Sequence, residues 1–504
     1  MKQTRQYRAK LNIVVSLLTQ AVAVLCGFVL PRTLINAFGS EAYGATASIA
    51  QFLAYITLLE GGIGGVARAA LYKPLADNNA ERISGIVAEL RRFFRILAWV
   101  FAVYVLILAC TYTYLAKITV FDWTTTFLLV LIIAISTFAQ HYIGITASVL
   151  LQAAQRNYIT NLVSSAATVL NVAISVVMVH SGYNLLAVKL ASSIIFILRP
   201  VVLWMYVNRK FRLTATAERD KAALSQKWSG LGQHLAFFLH NNTDIMVLTL
   251  FADLKLVAVY SVYNMIISHI VNFASSFTSG MEAVFGDMLA KQEHKELNKS
   301  FSQYETMVSA VAVVLLTSTA ILIMPFIKLY TAGITDAQYN VPMFAYLMVV
   351  ASLLQCLRMP YHSVVIAAGH FRQTQAAAYG EALLNIALSV LLVSRYGLIG
   401  VALGTVIATG LRFLYYVWYL EKNVLLRRIA VFVKRFAVNT VLFAALLLLG
   451  TSIIGKCRIE SYFDWFIAGA VTVLSCTLLT ALGNALCYKN DVLAVVRRKT
   501  KKMR

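Results

Sequence analysis

Leu150–Val179 reads LLQAAQRNYITNLVSSAATVLNVAISVVMV, and Val364–Val393 reads VVIAAGHFRQTQAAAYGEALLNIALSVLLV. The two stretches align without a gap, through a polar turn and into an apolar run of helical length. Ala153 falls on Ala367, Ala154 on Ala368, Thr160 on Thr374, Asn171 on Asn385 and Ser175 on Ser389. A weaker match sets Phe38-Gly39-Ser40 against Phe251-Ala252-Asp253. Self-similarity at a long fixed period marks two copies of one structural unit. Each copy spans about six apolar segments, an even number, so both share one orientation. Such copies are related by an axis along the membrane normal, as in parallel-repeat transporters.

Outward from this repeat the chain stays apolar. Of 504 residues, 60% are hydrophobic and 13% charged, where a soluble domain carries about a quarter charged residues. Runs long enough to cross a bilayer occur about fourteen times by the length rule. They fall at 11–37, 45–69, 93–116, 124–150, 158–180, 184–207, 229–252, 256–281, 304–330, 341–368, 373–394, 398–420, 435–455 and 463–487. Hydrocarbon satisfies no backbone polar group, so these are helices. The expected fold is an all-α integral membrane protein. An N-terminal lobe (1–207, spans 1–6) is followed by a cytoplasmic linker (208–228) and a C-terminal lobe (229–420, spans 7–12). A second linker (421–434), two further spans (435–487) and a basic tail (488–504) complete it. Segment 281–303, with Glu282, Asp287, Lys291, Lys295 and Lys299, reads as a short amphipathic helix on the inner surface. The N-terminus is basic and then apolar, like a signal peptide. The apolar run continues past Ala21-Val22-Ala23 to Pro31, so it reads as an uncleaved first helix.

The net charge of +23 does not point to nucleic acid, because the basic residues cluster in alternate connections. Arg5 and Arg8, then Arg91 and Arg92, Arg209 and Lys210, Lys295 and Lys299, Arg427 and Arg428, and the tail from Arg497 fall on one side. By the positive-inside rule that side, with both termini, is cytoplasmic. The polybasic tail is suited to anionic membrane lipids. The six cysteines (Cys26, Cys110, Cys356, Cys457, Cys476, Cys487) show no metal spacing and read as small membrane hydrophobes. No phosphate-loop motif, no HExxH and no outer loop large enough for a catalytic platform occurs. The expectation is therefore a non-enzyme with no catalytic residues, no metal and no cofactor, coupling to H+ or Na+ being left open.

Charges inside spans cost at least about 2.5–3.5 kcal/mol each at mid-membrane and so face cavities or partners. The chain places Arg32 in span 1, Glu60 and Arg68 in span 2, and Arg199 in span 6. Asp244 lies in span 7 with His234 and His240, Arg358 in span 10, Glu381 in span 11 and Arg412 in span 12. Lys189 and Lys328 sit near span ends and snorkel. The repeat sets Arg199 on Arg412, and Arg32 one residue from Asp244. One reading is a cavity with cationic walls (Arg32, Arg358, Arg199, Arg412) for an anionic substrate, with Asp244, Glu60 and Glu381 as ion-coupling or ion-pairing groups. The other is an Arg32–Asp244 ion pair with Arg199 and Arg412 snorkelling. Glu60-Gly61-Gly62-Ile63-Gly64-Gly65 reads equally as a hinge or as tight helix packing. His234, His240 and His269 read as hydrogen-bonded membrane histidines before proton-coupling groups.

The chain also carries NAFGSEAYGATAS (Asn36–Ser48), LLEGGIGG leading to LYKPLADNN (Leu71–Asn79), and NNTDIMVLTLFADLKLVAVYSVYN (Asn241–Asn264). With these in a 6+6+2 arrangement it resembles, over nearly its whole length, the bacterial polysaccharide or O-antigen (Wzx-type) flippases. That family belongs to the multidrug/oligosaccharidyl-lipid/polysaccharide exporter superfamily. The resemblance implies translocation of undecaprenyl-diphosphate-linked oligosaccharide by alternating access, for lipopolysaccharide or another surface polysaccharide. It implies the bacterial cytoplasmic (inner) membrane and polysaccharide polymerase machinery as a partner; a monomer is expected because one chain already contains both lobes. Arg32 matches a first-helix position where related flippases carry cavity cations, and Asp244 matches the acidic position of the Asn242-Thr243-Asp244 stretch. Only Arg32 precedes the interfacial Arg68, which disfavours lipid II. Alternatives are a cation-coupled multidrug antiporter, which expects a carboxylate-rich cavity, and a membrane glycosyltransferase, polymerase or ligase. The outer loops near 331–340 and 456–462 are too short for the latter.

Overall fold

Glycine, proline and local backbone irregularity decide where this helical chain breaks. The computed structural model describes residues 2–60, 63–211, 213–214, 220, 242–278 and 280–488, and every regular element among them is a helix. The first part comprises α1 (Lys2–Phe38), α2 (Ser40–Ala54), α3 (Thr57–Glu60), α4 (Ile63–Ala76), α5 (Ala80–Leu115) and α6 (Trp123–Ala139). A π-helical turn (Gln140–Gly144) leads to α7 (Ile145–Ala153), α8 (Asn157–His180) and α9 (Leu185–Phe211). Then come α10 (Asn242–Phe251), α11 (Leu254–Ser275), α12 (Met281–Ala290), α13 (His294–Tyr330) and α14 (Pro342–Ala368). The chain ends with α15 (Phe371–Asn423), α16 (Ile429–Ile454) and α17 (Tyr462–Cys487).

Eleven described helices are long and apolar enough to cross a membrane, which makes this a multi-pass membrane protein. The fourteen expected spans reduce to eleven for three local reasons. Spans 11 and 12 run together as α15, broken only at Gly397 (φ 53). Span 2 is divided into α2, α3 and α4. Of span 7 only α10 is described, because 221–241 lies outside the described residues, with His234, His240 and most of the 208–228 linker. The tail beyond residue 488 lies outside them too. Segment 281–303 departs from the expected single surface helix. It is α12 plus the first turns of α13, divided at Gln292 (φ 57), and Phe285 is buried against Phe301 and Tyr304. Phe285, midway along α12, anchors the short helix inward while Asp287 and Lys291 pair at its exposed end. All six cysteines are free.

The chain divides into two compact units, Met1–Ala258 and Val259–Arg504. In the first, α1 lies along α8, α8 along α9, and α6 packs on α5 and α9. Asn12 ties α1 to the α7–α8 turn, donating to the Gln155 carbonyl (3.2 Å) and accepting from Tyr158 N (2.8 Å). Gly44 lets α2 meet the start of α11, since a methyl there would sit 1.9 Å from the Leu254 carbonyl oxygen. Below it Ser48 and Thr249 hydroxyls lie 2.6 Å apart, and Gln51 Nε2 donates to Asn242 Oδ1 at 2.6 Å.

In the second unit α13 is the central helix, packed by α14, α16 and α17, while α14 lies on α15. Gly400 and Gly404 bring the two arms of α15 together: added methyls would meet the Leu392 carbonyl at 2.4 Å and Ser389 Oγ at 2.8 Å. Small residues at such crossings are the usual device of membrane helix packing.

The repeat holds at the level of side chains. Ser175 and Ser389 each donate to the asparagine one turn earlier, Asn171 (3.5 Å) and Asn385 (3.1 Å). Ser192 joins the first group, 3.4 Å from Ser175, and Thr405 joins the second, donating to Asn385 at 3.2 Å. Arg156 bonds the Tyr206 hydroxyl (2.6 Å), as His370 meets the Tyr419 hydroxyl (3.0 Å).

Candidate functional site

In the first unit a cavity of about 470 Å³ opens among α2, α3, α6, the π turn and α9, lined by Thr57, Glu60, Gln140, His141 and Arg199 among others. Glu60, His141 and Arg199 each lie just past the middle of their expected spans, counted from the same side, so they share one depth. Backbone irregularity positions two of them. Between α2 and α4 the chain tightens, with Ile56 N bonding the Leu53 carbonyl and Leu58 N the Tyr55 carbonyl, and this turns Glu60 into the cavity. The π turn swings His141 toward it; such bulges concentrate at functional sites. Phe101 of α5 stacks on the His141 ring at 5.7 Å.

His141 Nδ1 lies 2.8 Å from the Thr137 carbonyl oxygen, and Nε2 lies 2.7 Å from Glu60 Oε1. The second contact is close but out of line for a ring N–H hydrogen bond. His141 is 3% exposed and the Glu60 side chain 25%, so the carboxylate is the open face of the pair. Arg199 has no carboxylate within 4 Å among the described residues, and its Nε meets no acceptor.

The second unit treats its charges differently. Arg358 Nη1 donates to Glu381 Oε1 at 2.7 Å, Arg412 Nη1 donates to Glu381 Oε2, and Arg412 Nη2 donates to the Tyr416 hydroxyl at 3.0 Å. The Glu381 side chain is fully enclosed and both arginines are nearly so. One carboxylate held between two cations is an enclosed ion-pair network rather than an open anion site, although Arg412 Nε, like Arg199 Nε, meets no acceptor. Sequence reading named all three residues; the structure brings them together and leaves Arg199 outside any such arrangement.

Arg32 is half-buried on α1 and engaged, and Asp244 is buried on α10 and engaged. Tyr55 donates to the Asn242 carbonyl beside Asp244 at 3.4 Å. Arg68 donates to Gln152 at 2.6 Å. The glycine stretch after Glu60 is no packing point at its described end: a methyl at Gly64 meets nothing, and one at Gly65 only the tip of Arg68 at 4.0 Å.

Sequence reading missed His141. A histidine in mid-span 4 was visible, but the π turn that aims it at Glu60 has no signature in composition.

No family model and no curated protein matches the chain. Solved structures do. The lipid II flippase MurJ in an inward closed conformation superposes with a TM-score of 0.68 at 12% identity, covering 95% of this chain and 99% of MurJ. An inward-facing multidrug resistance MATE family transporter of the MOP superfamily gives 0.59 at 15%, covering 80% and 96%. A Vibrio cholerae MATE transporter variant gives 0.54 at 16%, covering 84% and 99%. The protein is thus an all-α, multi-pass membrane protein with a transporter fold. That fold is the one shared by MurJ and the MATE members of the MOP superfamily.

Proposed function

We propose that this protein is a flippase that moves undecaprenyl-diphosphate-linked oligosaccharide across the bacterial cytoplasmic membrane for surface polysaccharide synthesis, with no catalytic chemistry of its own. The observation that carries the reading is Arg199: a mid-span arginine lining a polar cavity with no carboxylate against it. An intramembrane cation held this way is expensive unless an anion visits it. Guanidinium suits diphosphate oxygens through its forked donors. The MurJ likeness supports a lipid-linked substrate; two repeated lobes dividing at 208–228, both termini cytoplasmic and a single chain sufficient complete the proposal. Arg32 is the second cation offered to the diphosphate. Arg358 and Arg412, locked on Glu381, serve as a rigid strut of the second lobe.

The MATE likeness and the single cavity carboxylate, Glu60, support a second reading, a cation-coupled small-molecule antiporter. Deleting the gene and measuring lipid-linked oligosaccharide on each side of the membrane separates the two. Cytoplasmic-side accumulation, unrelieved by Arg199→Ala, supports the flippase. Normal export in the deletion strain overturns it.

A further inference from the structure

The His141–Glu60 contact is short enough for one proton to decide its charge. The Thr137 carbonyl oxygen only accepts, so the imidazole Nδ1 facing it at 2.8 Å carries hydrogen. Nε2 then faces Glu60 Oε1 at 2.7 Å. Nε2 is out of line for a hydrogen bond there, but a bare ring nitrogen and a carboxylate oxygen repel at that separation, so a second proton held by either residue relieves the contact. Loaded, the pair is neutral; empty, it carries one negative charge in a cavity whose other ionic group among the described residues is Arg199.

We infer that Glu60 and His141 form a one-proton switch on a diphosphate-binding site at Arg199. With the proton in place the cavity is singly positive and accepts an anion. When the proton leaves, the Glu60 carboxylate neutralises the cavity and the anion loses its counter-charge. Proton and anion therefore bind together rather than in competition. The identity of the anion as a lipid diphosphate rests on the proposed function; the coupling of one proton to one anion does not.

Of the other titratable and charged groups on the surrounding elements, Glu89, near the start of α5, has one carboxylate oxygen buried without a hydrogen-bond partner, and the following are engaged. Tyr104 of α5 donates to the Phe52 carbonyl at 2.9 Å, and Tyr55 to Asn242. Arg68 is bonded to Gln152. Arg95 lies over the Tyr142 ring at 4.9 Å and Arg91 over Trp204 at 4.6 Å. The two switch residues sit on the tightened α3 segment and the π turn, so each can shift without breaking a regular helix.

The test uses full-length protein in lipid nanodiscs and dimethyl diphosphate, a diester whose charge is constant across the pH range. Calorimetry in buffers of different ionisation enthalpy counts protons. The expected result is about one proton taken up per anion, with affinity rising on the order of ten- to a hundred-fold on acidification, as one charge across a cavity of effective dielectric near 20 would give. Glu60→Gln should bind with no proton uptake and no pH dependence. His141→Gln should bind weakly with no uptake, and Arg199→Ala should not bind. A parallel arm with a P1-undecaprenyl P2-methyl diphosphate diester in the nanodisc, whose charge is likewise constant, separates sources. Proton-linked binding of the lipid alone assigns the site to a headgroup, and of both probes to diphosphate in general; either supports the switch. Absence of proton uptake in the parent protein, uptake unchanged in Glu60→Gln, or binding of neither probe overturns it. One-proton binding in a protein whose deletion leaves polysaccharide export normal would sink the flippase reading and leave the switch standing.

Discussion

Arg199 and Arg412 occupy equivalent places in two copies of one helix hairpin, seven residues beyond Ser192 and Thr405, which join the same buried Asn–Ser group in each copy. Arg412 is gripped by Glu381; at the matching position the first copy has Ala167. Duplication supplied the cation twice, and divergence at one residue made the second structural and left the first exposed to a cavity.

Truncating the two arginines should accordingly have opposite costs. Arg412→Ala leaves Glu381 paired with Arg358 through Oε1 but strips Oε2 of its donor in an enclosed site, whereas Glu381→Ala strands both arginines. Breaking a buried pair costs about 3–5 kcal/mol, so detergent-solubilised Arg412→Ala should melt clearly below the parent. Arg199→Ala removes an uncompensated charge and should melt at or above the parent while export fails. Equal melting losses in both variants would refute the distinction.

Restoring the missing carboxylate is the sharper experiment. Ala167→Glu places an acid where the second copy has Glu381. If the copies are equivalent, the new glutamate pairs with Arg199, export stops, and stability stays near that of the parent. A large stability loss would show the carboxylate stranded without its partner, since an isolated buried charge is far more costly than a paired one.

Much of this arrangement was legible in the sequence. Apolar run lengths gave the helices, and the ungapped polar turn at Ala153–Thr160 gave the repeat, because both depend on composition along the chain. The pairing of Arg358 and Arg412 on Glu381 was not legible, because it depends on how three spans rotate about their own axes. The π turn at Gln140–Gly144 rests on one extra residue per turn, a backbone choice that no side chain there announces. Segment 281–303 was read as one helix because its charge periodicity runs on past Gln292, where a backbone turn with φ 57° divides α12 from α13.

The approach of α2 to α11 at Gly44 yields a conformational prediction. With Ser48 and Thr249 hydroxyls 2.6 Å apart, Ser48→Cys with Thr249→Cys should crosslink under mild oxidation and arrest export reversibly. Adding Gly44→Leu should lower the crosslink yield, because its side chain cannot share space with the Leu254 carbonyl. An unchanged yield would mean that the two helices rarely meet in the working protein.

Arg427 carries the last prediction. It lies in the connection between α15 and α16, where Leu426 takes a φ of 52°. Its Nη2 is 2.5 Å from Glu421 Oε1 and its Nη1 3.0 Å from Glu305 Oε2. Arg435 of α16 reaches the same Glu305 oxygen at 2.7 Å, and the Tyr361 hydroxyl donates to its other oxygen at 2.6 Å. Two arginines and two glutamates, each under a tenth exposed, balance in charge and bind α13, α14, α15 and α16 together. Arg427→Ala leaves two carboxylates facing one arginine, and a loss of about 3–5 kcal/mol is expected. Arg427→Lys should recover only part of it, because a single ammonium cannot fork across two carboxylates. Adding Glu421→Gln to Arg427→Ala should restore stability, with a coupling energy of about 0.5–3 kcal/mol. Strict additivity of the two variants in thermal unfolding would show that Glu421 and Arg427 do not depend on each other.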